Sequence, residues 1–266
     1  MNEQAPKPAG WAPPFSLEER LKHMFVPPSL YMTYKAAKER RLGEPEFALI
    51  PFLCGRDKTS IDVGANVGVW SWAMARHSKQ VHAFEPNPKN LSKLRRNLGG
   101  LANATIHGVA LGDRAGEATL RIPRSPKGHS NQGASLSRIA VGDDRAFTAL
   151  AVEQKRLDDC AISHVGFIKI DVEGFEQAVL DGARETIARD RPNLLMEIEE
   201  AHTNIPIDDS VRRVEELGYR CLYLRRGTLT PFSQFDAAAD HRNSKAPEDY
   251  VFNFIFLPAL SQPTIG

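Results

Sequence analysis

Carboxylate side chains follow several predicted strands of this 266-residue chain, where they could bind a cationic ligand or accept a proton. Asp62 precedes a glycine-containing loop, and Glu85 ends a second apolar segment. Asp171 and Glu173 follow the apolar run 167–170, and alternation along an extended segment would point both to the same side. These acids can act together only if the elements before them end at one edge of a sheet.

Strand-like and helical segments alternate from Thr59 onward, which is typical of a mostly parallel sheet covered on both faces. Seven strands are predicted, at 60–63, 81–84, 104–111, 167–170, 193–198, 219–224 and 250–257. Helices are predicted at 69–77, from 87 or 90 to 98, at 175–189 and at 208–217. The prediction is an α/β fold with a mostly parallel seven-stranded sheet, in which ligands bind at the carboxyl ends of the strands.

Two regions depart from this alternation. Ser16 has the position of an N-cap at the first of three short helices, which are interpreted as a small helical N-terminal cap. Residues 117–122 could form an antiparallel strand, and 123–135 has the composition of a surface loop, which at this length indicates a functional segment. The predicted parts are a disordered N-terminus at 1–14, the helical cap at 15–55, the α/β domain at 56–258 and a C-terminal tail at 259–266.

The overall composition is that of a globular protein, with 42% hydrophobic and 25% charged residues. A formal net charge of +1 argues against a broad nucleic-acid-binding surface. Three scattered cysteines indicate neither a disulfide framework nor a zinc site. The N-terminal residues lack a secretory signal pattern, and the most apolar run, 250–257, is too short to span a bilayer. We therefore expect a cytoplasmic protein with no membrane span and no nucleic-acid partner, of unknown oligomeric state.

The loop from Asp62 to Gly68 has the composition of a cofactor loop. Gly64 and Gly68 permit close backbone approach, and the helix that follows presents free N–H groups. A dinucleotide loop would carry a third glycine, and the carboxylate of Asp62 would repel a pyrophosphate. That carboxylate suits a ligand with an ammonium and a sulfonium, which are the charges of S-adenosylmethionine. Glu85 can accept hydrogen bonds from both hydroxyls of an adenosine ribose.

Three sequence blocks resemble the FkbM family of methyltransferases. They are IDVGANVG at 61–68, AFEPNP at 83–88, and IKIDVEGFE at 168–176 with VLDGA after it at 179–183. The similarity extends over about residues 44–200. It implies a class I methyltransferase (Rossmann-like) fold and transfer of a methyl group to a hydroxyl oxygen. Family substrates include sugars, glycolipid or polysaccharide units and polyketides, so a small-molecule or glycan hydroxyl acceptor is expected.

The resemblance and the fold class it implies also suggest individual roles. The expected cofactor-binding residues are Asp62, Gly64, Asn66, Gly68, Glu85, Asn87, Leu111, Asp113 and Asp171. Asp113 could reach the adenine amino group with Leu111 packed on the ring, or could simply form a Gly-Asp turn. The resemblance places residues 171–173 at the methyl-transfer site, although Glu173 could instead cap the next helix. Residues 131–135 resemble the family's stretch of small polar residues in the loop over the site. They could form a lid over the site or a flexible linker.

A hydroxyl acceptor must be held about 3 Å from the methyl carbon and benefits from a general base. The candidates for that base are Glu173, Glu197, Glu199 and His202, of which His202 titrates near neutral pH. We predict Asp171, Glu173 and His202 as the catalytic residues. Asp171, Glu173, Glu197 and His202 could also gather Mg²⁺, but their spacing is not that of a metal site, so no metal is predicted.

Two other functions stay open on the residues alone. One is an NAD-dependent oxidoreductase, which the composition of the Asp62 loop disfavours. The other is a protein that binds the cofactor without catalysis and serves as a partner module. The presence of both acids Asp171 and Glu173 argues against this second alternative.

Overall fold

Twelve strands form two sheets in the part of the chain that the structure describes. The computed structural model describes residues 6–8, 11–125, 128–129, 133–137, 139, 146–244 and 246–259. The strands are β1 Thr59–Val63, β2 Gln80–Phe84, β3 Ala104–His107, β4 Ala110–Leu111, β5 Gly116–Ser125, β6 Gly128–His129, β7 Phe147–Lys155, β8 Val165–Ile170, β9 Asn193–Glu197, β10 Tyr219–Arg225, β11 Thr228–Pro231 and β12 Asn253–Pro258. The main sheet has the order β11-β10-β12-β9-β8-β1-β2-β3, and the second has the order β4-β7-β5-β6.

The main sheet is mixed and has eight strands, so the prediction of seven mostly parallel strands needs correction. The five strands from β9 to β3 pair in parallel, whereas β12 is antiparallel to both β9 and β10. The additional strand β11 pairs with β10 through a two-residue hairpin. Its loop residues Arg226 and Gly227 both have positive φ, at 48° and 78°, as a turn matching the twist of the strands requires.

Nine α-helices are assigned within the described ranges: α1 Leu17–Phe25, α2 Pro28–Leu42, α3 Ile50–Leu53, α4 Val69–Met74, α5 Pro88–Leu98, α6 Glu176–Asp181, α7 Arg184–Asp190, α8 Glu200–Thr203 and α9 Ile207–Glu215. The core lies on both faces of the central strands. Ile168 of β8 packs in one buried cluster with Val179 and Val211, and its neighbour Phe167 packs in another with Trp70. This arrangement explains why the parallel strands are apolar on both faces.

The predicted helix at 175–189 is two helices, α6 and α7, which separate at Gly182. A side chain at Gly182 would collide with the carbonyl oxygen of Gly112, and the Gly182 carbonyl accepts a hydrogen bond from Asp158 N at 3.0 Å. The segments that contain Gly112 and Asp158 therefore both pack against the chain at Gly182. The close approach interrupts the helical hydrogen bonds and lets the second sheet join the main domain.

The second sheet accounts for the region between the third and fourth parallel strands. The predicted strand at 104–111 divides, because β3 belongs to the main sheet and β4 to the second. The predicted antiparallel strand at 117–122 is confirmed within β5, and β7, which pairs along it, was not predicted. Leu120, Ile122, Leu150 and Val152 form a buried cluster between these strands and their surroundings.

The N-terminal helices lie beside α4 and α5. Ser16 is confirmed as an N-cap: its hydroxyl accepts from Glu19 N at 3.2 Å, and the Glu19 carboxylate accepts from Ser16 N at 2.8 Å. The predicted third helix is a 3₁₀ turn, Pro45–Leu49, followed by α3. Residues 1–5 and 9–10 of the predicted N-terminal segment, and 260–266 of the predicted tail, lie outside the described residues. Among the helices that the structure describes, none is both long and apolar enough to cross a bilayer.

Candidate functional site

A cavity of about 400 Å³ lies at the carboxyl ends of β1, β2 and β8. This is the edge where ligands bind in open α/β sheets, and the volume lies within the range of about 300–1,000 Å³ usual for ligand pockets. Its acidic lining residues are Glu39, Glu44, Asp62, Glu85, Asp171, Glu173 and Glu197, and its basic ones are Lys35 and Lys169. The predicted strand-end acids are therefore brought together around one cavity.

The loop after β1 is held against the loop after β8. Gly64 has φ +83°, and a Cβ atom there would collide with the carbonyl oxygen of Asp171. The backbone N–H groups of Gly64 and Ala65 both donate to the carbonyl oxygen of Phe84, at 3.0 and 2.9 Å. Gly68, with φ +90°, begins α4 and packs on Leu94. Glycine is needed at the first position because both the dihedral and the close approach exclude a side chain.

The carboxylate of Asp62 is buried beneath this loop and only half satisfied. Its Oδ2 accepts a hydrogen bond from Ser71 Oγ at 2.5 Å. Its Oδ1 has no hydrogen-bond partner among the residues that the structure describes. Burial raises the pKa of Asp62, and the nearby ammonium of Lys169 opposes that shift. A buried acceptor without a partner is the kind of atom that a bound cationic donor would satisfy.

Glu85 connects the loop after β2 to the cofactor-type loop. Its two carboxylate oxygens accept from Asn66 N and Asn87 N, each at 2.8 Å. Burial raises the pKa of Glu85 to about 7, although both backbone hydrogen bonds lower it. The side chain of Asn87 accepts from Lys89 N at 3.1 Å and caps α5, and Asn87 does not line the cavity.

Three ionisable groups, those of Lys169, Asp171 and Glu197, form a compact network under the cavity. Lys169 Nζ donates to Asp171 Oδ2 at 2.7 Å and lies 5.3 Å from the ring centre of Trp70. Burial opposes the charge of Lys169, but neighbouring carboxylates, Asp171 foremost, raise its pKa overall. Burial raises the pKa of Asp171, but Lys169 and the hydrogen bond with Glu197 together outweigh it, and the net shift is downward. Burial and the charge of Asp171 raise the pKa of Glu197 well above its ordinary value, and the two side chains are hydrogen-bonded to each other.

Glu173 lies at the cavity wall in a left-handed backbone conformation, with φ 54°. Its Oε1 accepts from Gly133 N at 3.1 Å, and its Oε2 lies 3.6 Å from His202 Nε2. Burial and the charge of Asp171 raise the pKa of Glu173. It does not cap α6, whose N-cap residue is Phe175 without a side-chain hydrogen bond.

The remaining predicted residues divide between the cavity and other surroundings. Leu111 lines the cavity, whereas Asp113 is exposed and contacts Gln154 at 3.4 Å. Asp113 lies away from the cavity because the chain leaves the main sheet after β3. Glu199 also lies elsewhere, since its carboxylate accepts from Tyr250 OH at 2.5 Å. Of the segment 131–135, residues 131 and 132 lie outside the described part of the chain, and Gly133 lines the cavity.

Sequence reasoning did not identify several residues of the cavity. Lys169 interrupts an apolar run in a buried parallel strand, and an unexplained charge at such a position is a signal that could have identified it. No feature of the sequence around Glu44 indicates that this residue lines the cavity. Its carboxylate accepts from Asn253 Nδ2 at 3.2 Å, 209 positions along the chain, and burial raises its pKa.

Glu173, Glu197 and His202 form a group with the geometry of a metal site. One ligand atom from each lies within 4.8 Å of the others. Two carboxylates and an imidazole suit several divalent ions. Asp171, the fourth ligand considered from the sequence, is instead paired with Lys169.

The strand order and the cavity at the strand ends define a class I methyltransferase-like α/β fold. The chain belongs to the family described as the Methyltransferase FkbM domain, whose family model matches residues 62–221. The family expected from the three sequence blocks is therefore confirmed. The helices α1, α2 and α3 lie before the matched region.

Two curated relatives and one solved structure illustrate the similarity. The chain is 27% identical over 149 residues to 2-O-methyltransferase NoeI of Sinorhizobium fredii (strain NBRC 101917 / NGR234), covering 51% of this chain and 61% of NoeI. It is 28% identical over 145 residues to Methyltransferase 1 of Beauveria bassiana (strain ARSEF 2860), covering 47% of this chain and 58% of that protein. The chain thus spans less than two thirds of either relative. The crystal structure of Methyltransferase FkbM from Methylobacillus flagellatus KT aligns with this chain at 18% identity and a TM-score of 0.50. The alignment covers 86% of this chain and 54% of the chain in that crystal structure.

Proposed function

We propose that this protein is an S-adenosylmethionine-dependent O-methyltransferase that acts on a hydroxyl of a sugar, a glycan or glycolipid, or a natural product. The observation that carries this proposal is the charge of the cavity, whose lining has seven carboxyl groups and two ammonium groups. Such a lining attracts a sulfonium and an ammonium and repels a pyrophosphate. The charge therefore favours S-adenosylmethionine over NAD. The name of NoeI, a 2-O-methyltransferase, supports oxygen as the methyl acceptor.

The free acceptor of the buried Asp62 carboxylate fits a cationic donor, as does the glycine at position 64 that opens the loop. In this proposal Asp62, Gly64, Asn66, Glu85, Leu111 and Asp171 hold the cofactor. Gly68 does not line the cavity and acts only by shaping the loop before α4. Glu85 is placed to accept from the ribose hydroxyls, and Asn87 acts only through the cap of α5. No contact is assigned to Asp113. When bound, S-adenosylmethionine supplies an electrophilic methyl carbon for in-line displacement by the acceptor oxygen.

The chain's own residues would move the acceptor proton. Glu173 lines the cavity, and its raised pKa makes it a better proton acceptor than an ordinary carboxylate. His202 lies 3.6 Å from Glu173 and is partly exposed, so it can take that proton onward to water. Asp171 is kept ionised by Lys169, so its role is electrostatic, beside the cationic part of the cofactor. No metal takes part in these steps.

Calorimetry with the purified chain tests the cofactor. S-adenosylhomocysteine should bind in the micromolar range or tighter, and NAD at the same concentration should give no heat above that of dilution. Binding of NAD without S-adenosylhomocysteine would refute the proposal in favour of an oxidoreductase. Transfer of a radiolabelled methyl group from the cofactor to cell-extract glycans or lipids, stable to mild base as an ether is, tests catalysis and excludes a module that only binds.

A further inference from the structure

Lys35 of α2 is a second lysine in the wall of an otherwise acidic cavity. The cavity lining contains only two ammonium groups among the described residues, those of Lys35 and Lys169. Lys169 is buried, and its ammonium group already forms an ion pair with Asp171 at 2.7 Å. The Lys35 side chain is half-buried and forms no ion pair or hydrogen bond with any residue that the structure describes. A ligand in the cavity would therefore meet one available cation.

None of the acidic residues near Lys35 in the described part of the chain forms an ion pair with it. Glu39 lies one helical turn later, the spacing at which lysine and glutamate usually pair. The Glu39 carboxylate instead accepts from Glu44 N at 3.1 Å, at the carboxyl end of the helix. On α5, the lysines Lys89 and Lys93 both bond to Glu19, at 3.1 and 2.6 Å. Those two lysines are neutralised and do not line the cavity.

The position of Lys35 is fixed by packing. Helix α2 packs against α4 and α5, and Met32, one turn before Lys35, is fully buried between them. A cation on a rigid helix costs less side-chain ordering to bind a ligand than one on a mobile loop. The region before residue 62 lies outside the family match, so the family does not assign this residue.

The cofactor of the proposed function carries one anionic group, the α-carboxylate of its methionine moiety. That carboxylate would be repelled by the seven acidic side chains unless a cation lay beside it. We infer that Lys35 binds the α-carboxylate of the methionine moiety and thereby selects the intact amino-acid end of the ligand. The inference rests on the proposed function, since it names a contact within the same site.

The test is a cycle of two proteins and two ligands, measured by calorimetry. The proteins are the wild type and Lys35→Gln, and the ligands are S-adenosylhomocysteine and its decarboxylated analogue, which keeps the amine. In the wild type, loss of the carboxylate should weaken binding about 10- to 100-fold, the range for a hydrogen bond to a charged group. In Lys35→Gln the two ligands should bind within about twofold of each other. Lys35→Arg should restore most of the discrimination.

The matched control is Lys38→Gln, an exposed lysine on the same helix that does not line the cavity. It should discriminate between the ligands as the wild type does. Equal discrimination by Lys35→Gln and the wild type overturns the inference and leaves the proposed function intact. If Lys35→Gln does not fold, the wild type alone decides: equal affinity for the two ligands overturns the inference. A wild type that binds neither ligand overturns the proposed function.

Discussion

Lys169 Nζ lies 2.7 Å from Oδ2 of Asp171, and this contact joins a residue of β8 to the first residue after that strand. Asp171 stays ionised because of this contact, so it is unsuited to accept the acceptor proton. The pKa of Glu197, which is hydrogen-bonded to the same carboxylate, is shifted in the opposite direction, upward, by burial and by the charge of Asp171. Glu173 lies at the cavity wall, 3.6 Å from His202, and its pKa is raised as well. In the proposed function, Asp171 therefore has an electrostatic role and Glu173 has the proton-transfer role.

Lys169→Met should destabilise the protein strongly. The substitution leaves Asp171 and the buried Asp62 without their shared cation, and breaking a buried pair typically costs about 3–5 kcal/mol. Urea unfolding at pH 7 measures the loss. At pH 3 the carboxyl groups are protonated, so the difference from the wild type should shrink. The exposed Lys79→Met should change the free energy of unfolding by less than about 0.5 kcal/mol, and an equally mild effect at position 169 would contradict the network.

Glu173→Gln should reduce methyl transfer about 10²- to 10⁴-fold, the usual contribution of a general base, with little change in affinity for S-adenosylhomocysteine. Because the pKa of Glu173 is raised, the wild-type rate should increase with pH through a midpoint above the ordinary pKa of glutamic acid. That limb of the pH profile should be absent in the variant. His202→Ala should show a smaller loss, as expected for a group that only passes the proton onward.

Glu199→Gln is the matched control for the base. Glu199 is among the candidate bases that the sequence offers, but its carboxylate is bonded to Tyr250 outside the cavity. Its substitution should leave the rate constant for methyl transfer within a few-fold of the wild type. A loss at position 199 with an intact rate at position 173 would reverse the assignment.

The strand-end acids could be predicted because their signal is local. A short apolar run followed by glycine and a carboxylate marks the end of a parallel strand, and all such ends meet at one edge. Asp113 followed a predicted strand too, but the chain changes sheets after β3, and no local pattern specifies that change. Lys35 and Glu44 reach the cavity only through the docking of helices on the sheet. Tertiary contacts of this kind leave no periodicity in the sequence.

Glu46→Gln should stabilise the protein at alkaline pH. Burial raises the pKa of Glu46 to about 7, while Asn253 Nδ2, 3.4 Å away, favours the charged form only weakly. The folded state therefore retains a proton that the unfolded state releases above about pH 4.3. The stabilising contribution is complete below that pH and is lost as pH rises through about 7.

Glutamine carries no such charge, so Glu46→Gln should exceed the wild type in free energy of unfolding at pH 8, by about 4 kcal/mol at most. The two proteins should converge near pH 4. Thermal unfolding across this range measures the effect. A constant difference at every pH would show that Glu46 titrates normally in the folded protein.

Treatment with EDTA should leave methyl transfer unchanged. Glu173, Glu197 and His202 have ligand atoms within 4.8 Å of one another, but in the proposed reaction the Glu173 carboxylate accepts a proton, which a bound metal ion would prevent. Activity is measured after dialysis against the chelator and again after addition of Mg²⁺ or Mn²⁺. Loss on dialysis with recovery on addition would establish a metal at these residues.

Gly64→Ala should abolish cofactor binding even where the chain still folds. The residue has φ +83°, and its Cβ would collide with the carbonyl oxygen of Asp171, so the loops after β1 and β8 must separate to admit a methyl group. The left-handed backbone alone costs about 1–2 kcal/mol, and the collision adds to it. Gly100→Ala is the control, because a Cβ there meets nothing within 4 Å. Calorimetry with S-adenosylhomocysteine, beside thermal unfolding of both variants, separates binding from stability. Normal affinity in Gly64→Ala would mean that the contact between the two loops does not shape the cofactor site.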